Sequence, residues 1–298
     1  MARASRTRRT LSWRDLRWLR RVSDGYFRTV SPAPFKPDPS AWRHDRVTVA
    51  WLGHSTVLLD FFGIMALVDP ALRMRIGVGV GPLTLGPKRY VAPALRIREL
   101  PPLDFVLLTH AHMDHMDLAT LRRLPRDITV VTAASTADLL VPFRFRRVIE
   151  MGWGETCRFD TRHGALTITA FRVQHWGARV RHDVHRGFNG YVLSREGRRI
   201  CLTGDTARTN FEGLGLQGPI DVMTVPIGAY DPWIASHCTP EQAVEMANQA
   251  RAQFLVPIHH QTFRLGREPM DEPIRRFKRA IEPARIALSN IGETFELR

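Results

Sequence analysis

The most constraining feature of this 298-residue chain is a strand-like apolar run that leads directly into clustered metal-ligand residues. Residues 105–109 are mostly apolar, and His110, His112, Asp114 and His115 follow within six positions. In an extended chain, residues two apart point to the same side, so His110 and His112 can bind one ion from the end of the strand. Asp114 and His115 fall in the turn that follows and can serve a neighbouring ion. The segment therefore predicts a site for two adjacent metals.

Short apolar runs rich in β-branched residues recur from Val47 onward, and Gly, Asp or Pro residues bound many of them. Such runs are typical of β-strands, and helical patterns fall between them. The predicted strands cover residues 47–51, 56–62, 64–68, 105–109, 128–132, 166–173, 190–193, 200–203, 222–225 and 254–257. The predicted helices cover residues 118–124, 135–140, 240–250 and 272–280. Thr239, Pro240 and Gln242 predict the start of the third helix. Because strands come in groups before each helix, the pattern favours two mixed β-sheets packed together with helices outside, an α/β (α+β) architecture.

The spacing His110-x-His112-x-Asp114-His115 resembles the H-x-H-x-D-H signature of the metallo-β-lactamase superfamily, whose fold is an αββα sandwich. The resemblance implies a set of metal ligands shared between two sites: His110, His112, Asp114, His115, His175, Asp205 and His259. It implies that Asp205 bridges both metals and that His259 completes the second site. The Ile-His-x-x-Thr-Phe spacing favours His259 over its neighbour His260. Two zinc ions are the default expectation, and manganese or iron stay open because all the ligand atoms are nitrogen or oxygen.

A closer resemblance extends from about Val47 to Phe263, to the N-acyl-phosphatidylethanolamine-hydrolysing phospholipase D branch of that superfamily. Its supporting segments are Trp51-Leu-Gly-His54, Val68-Asp69-Pro70, Gly86-Pro-Lys-Arg-Tyr90, Glu99-Leu-Pro-Pro-Leu-Asp104, Pro226-Ile-Gly-Ala-Tyr230, His237-x-x-Pro240-Glu-x-Ala-Val244 and His259-x-x-Thr262-Phe263. Bacterial relatives of the branch, including L-ascorbate-6-phosphate-lactonase-like hydrolases, need not keep the same substrate.

The resemblance implies a hydrolase in which a metal-bound hydroxide, positioned by Asp114 and Asp205, displaces an alcohol from a phosphodiester. The implied substrate is a phospholipid or an N-acyl-phosphatidylethanolamine-like lipid. His237 precedes a predicted helix, where it is expected to bind a phosphate or to cap the helix. His54 and Asp69 are expected either to orient metal ligands or to serve turns.

Other functions stay open at this point. A lactonase or another acyl hydrolase would use the same water on a carbonyl carbon. A nuclease ranks lower, because no added nucleic-acid module or aromatic stacking motif is visible in the sequence. A non-catalytic protein that binds membrane surfaces or nucleic acid would need only a structural metal site, and the full ligand set argues against it.

Residues 1–40 are predicted to form a basic extension and a Pro-rich link, and residues 41–298 a single hydrolase domain. The extension is expected to contain an amphipathic helix up to about Arg28, because its apolar and basic residues segregate at helical spacing. The apolar side carries Leu11, Trp18, Leu19, Val22 and Tyr26, and the basic side Arg14, Arg17, Arg20 and Arg21. Such a helix can rest on an anionic membrane surface or pack its apolar side against the domain, and the pattern is the same for both.

The formal net charge of +14 favours anionic partners such as phospholipid headgroups, nucleic acid or phosphorylated metabolites. Cys157, Cys201 and Cys238 are odd in number and widely spaced, so neither a disulfide framework nor a thiolate zinc site is expected. No apolar run approaches the ~18–20 residues that a membrane-spanning helix needs. These observations predict a cytoplasmic protein, with peripheral contact to the inner face of the membrane as an open alternative.

Overall fold

The computed structural model describes residue 25 and residues 28–80, 83–180 and 182–297. Its strands are β1 (Val47–Gly53), β2 (Thr56–Phe61), β3 (Ile64–Val68), β4 (Val78–Val80), β5 (Leu83–Leu85), β6 (Phe105–Leu108), β7 (Thr129–Ala133), β8 (Arg147–Met151), β9 (Thr156–Thr161), β10 (Gly164–Phe171), β11 (Gly190–Arg195), β12 (Arg198–Leu202), β13 (Ile220–Pro226), β14 (Ala252–Ile258) and β15 (Thr294–Leu297). Its α-helices are α1 (Leu118–Leu121), α2 (Glu212–Leu216), α3 (Tyr230–Trp233), α4 (Pro240–Gln249) and α5 (Glu272–Ala280). The predicted N-terminal helix lies outside the described residues apart from Gly25 and Arg28.

The strands form two large mixed sheets and a separate β4–β5 hairpin. The first sheet has the order β15-β1-β2-β3-β6-β7-β8, and the second has the order β14-β13-β12-β11-β10-β9. In the first sheet β3, β6, β7 and β8 run parallel to one another. In the second sheet the parallel strands are β12, β13 and β14. The predicted pair of mixed sheets is confirmed.

The main core lies between the two sheets. It joins buried side chains of β1, β2, β3, β6 and β7 to those of β10, β11 and β12 in one continuous cluster. The ring of Phe105 on β6, for example, meets that of Phe159 on β9 edge to face, with centroids 5.1 Å apart. Strands β1, β2 and β3 are buried on both faces, which explains why their sequences are apolar at most positions rather than alternating.

Helices α4 and α5 cover the second sheet. Ala243, Ala247 and Phe277 on these helices pack with Met223 and Leu255 of the sheet in a second apolar cluster. Helix α4 begins as predicted, with Pro240 at its first position and a capping box between Thr239 and Gln242. This cap fixes where the helix starts, and therefore where the residues just before it lie.

Two sequence-based expectations about helices need correction. The chain between the strands of the first sheet contains an α-helix of only four residues, α1, so helices flank the sandwich less fully than predicted. The helix predicted at residues 135–140 is a 3₁₀ helix, Ala137–Phe143, that contains Pro142. Proline cannot donate the backbone hydrogen bond that an α-helix requires at that position. Among the described residues, no helix combines the length and the apolar character needed to cross a bilayer.

Candidate metal centre

The residues predicted to bind metal follow the carboxyl ends of strands from both sheets. His110 follows β6 and His175 follows β10 in the chain, and Asp205 comes after β12. His259 directly follows β14. Because parallel neighbours end at the same edge of a sheet, side chains that are far apart in sequence meet there. The structure brings the seven predicted ligands together at this edge in two adjoining groups of four residues, and a third group, which contains His237, overlaps both of them.

The first group contains His110, His112, His175 and Asp205, whose potential ligand atoms lie within 4.8 Å of one another. His110 Nε2 lies 2.9 Å from His112 Nδ1, and His175 Nε2 lies 3.2 Å from the same nitrogen. Burial lowers the pKa of His110 well below its usual value and that of His112 to about 4. The imidazoles are therefore neutral near pH 7, the form that coordinates a metal.

The second group contains His54, Asp114, His115 and His259, again within 4.8 Å. His259 Nε2 lies 3.3 Å from Asp114 Oδ2 and 3.2 Å from Asp205 Oδ2. His115 Nε2 lies 3.0 Å from that oxygen of Asp205. Asp205 therefore contacts members of both groups, as a bridging ligand would.

Asp205, which is buried, and Asp114, which is 13% exposed, lie among the imidazoles at this edge. Burial alone would raise the pKa of Asp114 and Asp205, but His115 and neighbouring imidazoles hold both well below the usual range. Burial would likewise lower the pKa of His115, but Asp205, Asp114 and Asp69 raise it well above 6.5. Asp205 Oδ1 is buried and has no hydrogen-bond partner among the described residues. An unpaired buried carboxylate oxygen beside converging imidazole nitrogens fits a divalent cation.

Three of the ligand histidines are held by another group at the ring nitrogen that faces away from the centre. Asp69 Oδ2 accepts a hydrogen bond from His115 Nδ1 at 2.7 Å. Asp69 also accepts from the backbone N–H and the hydroxyl of Thr109, at 2.8 and 2.6 Å. The hydroxyl of Thr109 lies 2.9 Å from His110 Nδ1, and His175 Nδ1 donates to the carbonyl of Ser236 at 2.8 Å. Such partners fix the tautomer and the orientation of histidine ligands.

His237, predicted as a catalytic residue, lies beside both groups. Its Nδ1 is 4.0 Å from Asp205 Oδ2, and its ring centroid is 5.0 Å from that of His259. Burial lowers the pKa of His237 to about 3, so the ring is neutral near pH 7. His260 lies outside the groups, because it stacks on Trp51 with centroids 4.6 Å apart and its Nε2 donates to a backbone carbonyl.

The sequence left the role of His54 open between orienting a metal ligand and serving a turn, and it indicated no role for Arg179. His54 belongs to the second group itself, with Nε2 2.9 Å from Asp114 Oδ2. Arg179 Nη1 donates to the carbonyls of Ala111 and Met116, at 2.9 and 2.8 Å, and so fastens both ends of the loop that carries His112, Asp114 and His115. An arginine four residues after His175 was the available signal, but nothing in the sequence indicates which carbonyls it meets.

One exposed apolar side chain contacts the centre, and two more lie close to His237 in the chain. Trp176 is 51% exposed, and its ring meets that of His112 with centroids 4.7 Å apart. Trp233 and Ile234 are 56% and 48% exposed, and the backbone N–H of His237 donates to the carbonyl of Trp233. We refer to Trp176, Trp233 and Ile234 as the apolar rim.

Comparison with known proteins identifies the family. The model of the "Beta-lactamase superfamily domain" matches residues 66–260, about two thirds of the chain. The chain belongs to the metallo-β-lactamase superfamily. This member is 32% identical over 237 residues to the N-acyl-phosphatidylethanolamine-hydrolyzing phospholipase D 1 of Caenorhabditis elegans, a match that covers 72% of the chain and 64% of that protein. It therefore spans somewhat less than two thirds of that relative.

Solved structures share the fold of this superfamily member. The metallo hydrolase Igni18 of Ignicoccus hospitalis superposes with a TM-score of 0.63 at 21% identity, over 85% of this chain and 98% of that one. The diiron β-hydroxylase CmlA of Streptomyces venezuelae superposes with a TM-score of 0.60 at 18% identity, over 88% of this chain and 55% of that one. At these identities the likeness concerns the fold alone.

Proposed function

We propose that this protein is a binuclear metal-dependent hydrolase that cleaves phosphodiesters, of phospholipase D type, with a phospholipid or N-acyl-phosphatidylethanolamine-like lipid as substrate. The observation that carries the proposal is the pair of ligand groups joined at Asp205, whose buried Oδ1 has no partner among the described residues. His110, His112 and His175 would hold one ion, and Asp114, His115 and His259 the other. Two divalent ions in such a site would lower the pKa of water towards about 7 and stabilise charge on the oxygens of the attacked phosphoryl group.

The protein's own groups would orient the reaction. Asp114 and Asp205 are ionised and would fix the ligand groups relative to each other. His237 is neutral and lies beside Asp205, where its ring N–H would donate to a phosphoryl oxygen of the substrate. Hydrolysis adds the water oxygen to phosphorus and breaks the bond to the alcohol oxygen. The products are a phosphomonoester and an alcohol that takes up a proton.

Two observations favour a lipid over other phosphodiesters. Trp176 is exposed and its ring meets that of His112, so an acyl chain or lipid surface that reaches the metal centre would contact it, and the exposed Trp233 and Ile234 lie close to His237 in the chain. The nematode relative is named for hydrolysis of an N-acylated phospholipid.

The metal is proposed to be zinc, with manganese and iron as alternatives. Histidine and carboxylate ligands suit all three ions, and no cysteine belongs to the ligand groups found among the described residues. CmlA, a diiron enzyme with a similar fold, keeps iron in consideration. Elemental analysis of the purified protein, before and after reconstitution with each metal, would identify the ion.

The proposal is tested by a hydrolysis screen on one preparation whose metal content is also measured. The substrates are phospholipids, a simple phosphodiester, lactones and RNA. We expect about two ions per chain and metal-dependent release of an alcohol from phospholipid. Asp205→Ala should lose both ions and the activity, whereas His260→Gln, a change at a buried histidine outside the ligand groups, should keep both. Turnover of lactones without phosphodiesters would replace the proposal with the acyl-hydrolase alternative, and preferential cleavage of RNA would replace it with a nuclease.

A further inference from the structure

We infer that His54 is a positioning residue for two metal ligands. Its side chain orients Asp114, and its backbone carbonyl fixes the position of His259. The inference rests on the proposed metal site. His54 lies in the turn between β1 and β2, whereas Asp114 follows β6 and His259 follows β14 of the other sheet. It therefore links three parts of the chain that are distant in sequence.

The backbone of His54 is fixed on both sides. Its N–H donates to the hydroxyl of Thr262 at 2.7 Å. Its carbonyl accepts from the backbone N–H of His259 at 3.1 Å and from the indole N–H of Trp51 at 2.6 Å. His54 has a φ of +54°, a left-handed conformation that is unfavourable for a residue with a Cβ. Such a conformation persists where surrounding contacts impose it, as these three hydrogen bonds do.

The side chain of His54 reaches the metal centre from this fixed backbone. Its Nε2 lies 2.9 Å from Asp114 Oδ2, and an ionised carboxylate can only accept, so this nitrogen carries the proton. The imidazole is 1% exposed and contacts the rings of His259 and Phe263, with centroids 4.3 and 5.1 Å away. Burial against these rings restricts rotation of the imidazole and therefore the direction of the hydrogen bond to Asp114.

The geometry favours bracing over direct coordination. A nitrogen that donates a hydrogen bond to Asp114 has no lone pair left for an ion, because neutral imidazole has one donor and one acceptor nitrogen. The acceptor nitrogen of His54, Nδ1, is buried and has no partner among the described residues. Loss of His54 should therefore weaken the ion bound by Asp114, His115 and His259 and leave the three-histidine group intact.

The test compares two substitutions in the full-length protein. His54→Phe keeps a planar ring and removes the donor, whereas His54→Gln keeps an N–H donor at a similar reach. Each metal-free variant is titrated with Co²⁺, and both the absorption spectrum and calorimetric binding are recorded. Changes in partners of this kind cost ~10–100-fold in metal affinity. We expect His54→Phe to lose affinity on that scale for one of two ions, and His54→Gln to recover most of it. His260→Gln is the matched control, because His260 is also buried and lies nearby. This variant should bind both ions as the unmodified protein does.

The outcomes separate this inference from the function on which it rests. If the unmodified protein binds fewer than two ions, the binuclear site itself is wrong. If it binds two and His54→Phe binds both with unchanged affinity, the bracing role is wrong. If His54→Gln loses as much as His54→Phe, direct coordination by Nε2 replaces bracing. Should His54→Phe not fold, Thr262→Val removes the acceptor of the His54 N–H and should weaken the same ion, and unchanged Co²⁺ binding in that variant would also refute the inference.

Discussion

Asp69 is the buried group on which the metal ligands of the first sheet depend. Its Oδ2 accepts from His115 Nδ1 and from the hydroxyl of Thr109, and its Oδ1 accepts from the backbone N–H of Thr109. Asp69→Asn preserves the shape, and asparagine also tolerates the left-handed φ of +42° found here. The amide can keep its oxygen where Oδ2 lies, but its NH₂ then faces the N–H of Thr109. We expect the loss of one buried hydrogen bond to a charged group, about 1.5–3 kcal/mol of unfolding free energy.

The assay separates this stability effect from the effect on metal binding. Guanidinium unfolding of the metal-free protein measures the first, and Zn²⁺ competition against a chelator measures the second. Because Asp69 orients His115, we expect ~10–100-fold weaker binding of one ion. Asp221→Asn is the matched control, because Asp221, at the start of β13, is also buried. Its carboxylate accepts hydrogen bonds from the side chain of Arg198 and the backbone N–H of Arg199 on β12, neither of which is a metal ligand. Equal loss of metal affinity in both variants, or none in Asp69→Asn, would refute the reasoning.

Two further changes test the local geometry. Gly204→Ala should destabilise the protein by about 2–4 kcal/mol, because φ is +61° and the new Cβ would lie 2.7 Å from Thr109 Cβ and Oγ1. Gly154→Ala, with φ +83° and open space around the Cβ, should show the smaller backbone cost alone when both variants are unfolded in guanidinium. A hydrogen bond from Arg276 lowers the pKa of Glu241 from 4.5 to about 2. The stabilising contribution of the Glu241 carboxylate is therefore present above pH 4.5 and is lost as pH falls through 2. For this half-exposed pair, Glu241→Gln should cost at most about 1 kcal/mol at pH 6, and a deficit that persists at pH 2 would contradict the assignment.

The sequence predicted the elements whose own residues determine them. The runs that became β1, β2 and β3 are apolar at most positions, because both faces of these strands are buried. Helices α4 and α5 were predicted with nearly the observed bounds, since a capping box starts α4 and Pro273 stands in the first turn of α5. These signals are local and need no knowledge of the partner elements.

The strands that were missed owe their structure to pairing rather than to composition. β8 and β9 lie at sheet edges, and most of their residues are exposed or half-buried, so no apolar run marks them. β15 has four residues and forms only because it pairs with β1, which lies about 250 residues earlier. Strand pairing over such a distance leaves no signal in a short sequence window.

The candidate site shows the same division between local and distant information. The His110–His115 spacing is a local signal, and the family resemblance supplied the three later ligands. The sequence left the roles of Asp69 and His54 open, because each acts on residues about 40 to 205 positions away. Aspartate and histidine are common in turns of soluble proteins. Only the folded arrangement distinguishes a residue that orients a metal ligand from one that serves a turn.

Charge and apolar exposure act on the substrate at different distances. The formal charge of +14 attracts any polyanion, lipid surface or RNA alike, over about a Debye length of roughly 8 Å at physiological salt. At the centre itself, the ionised carboxylates of Asp114 and Asp205 are offset in part by His115, whose pKa they raise. Net charge therefore governs encounter and cannot select a lipid. Substrate selection therefore depends on groups that contact the substrate. Trp176 is an exposed apolar group of this kind, because its ring contacts that of His112. A base could stack on this tryptophan as an acyl chain could pack on it. Ile234 offers no aromatic face, so the apolar rim as a whole favours an acyl chain.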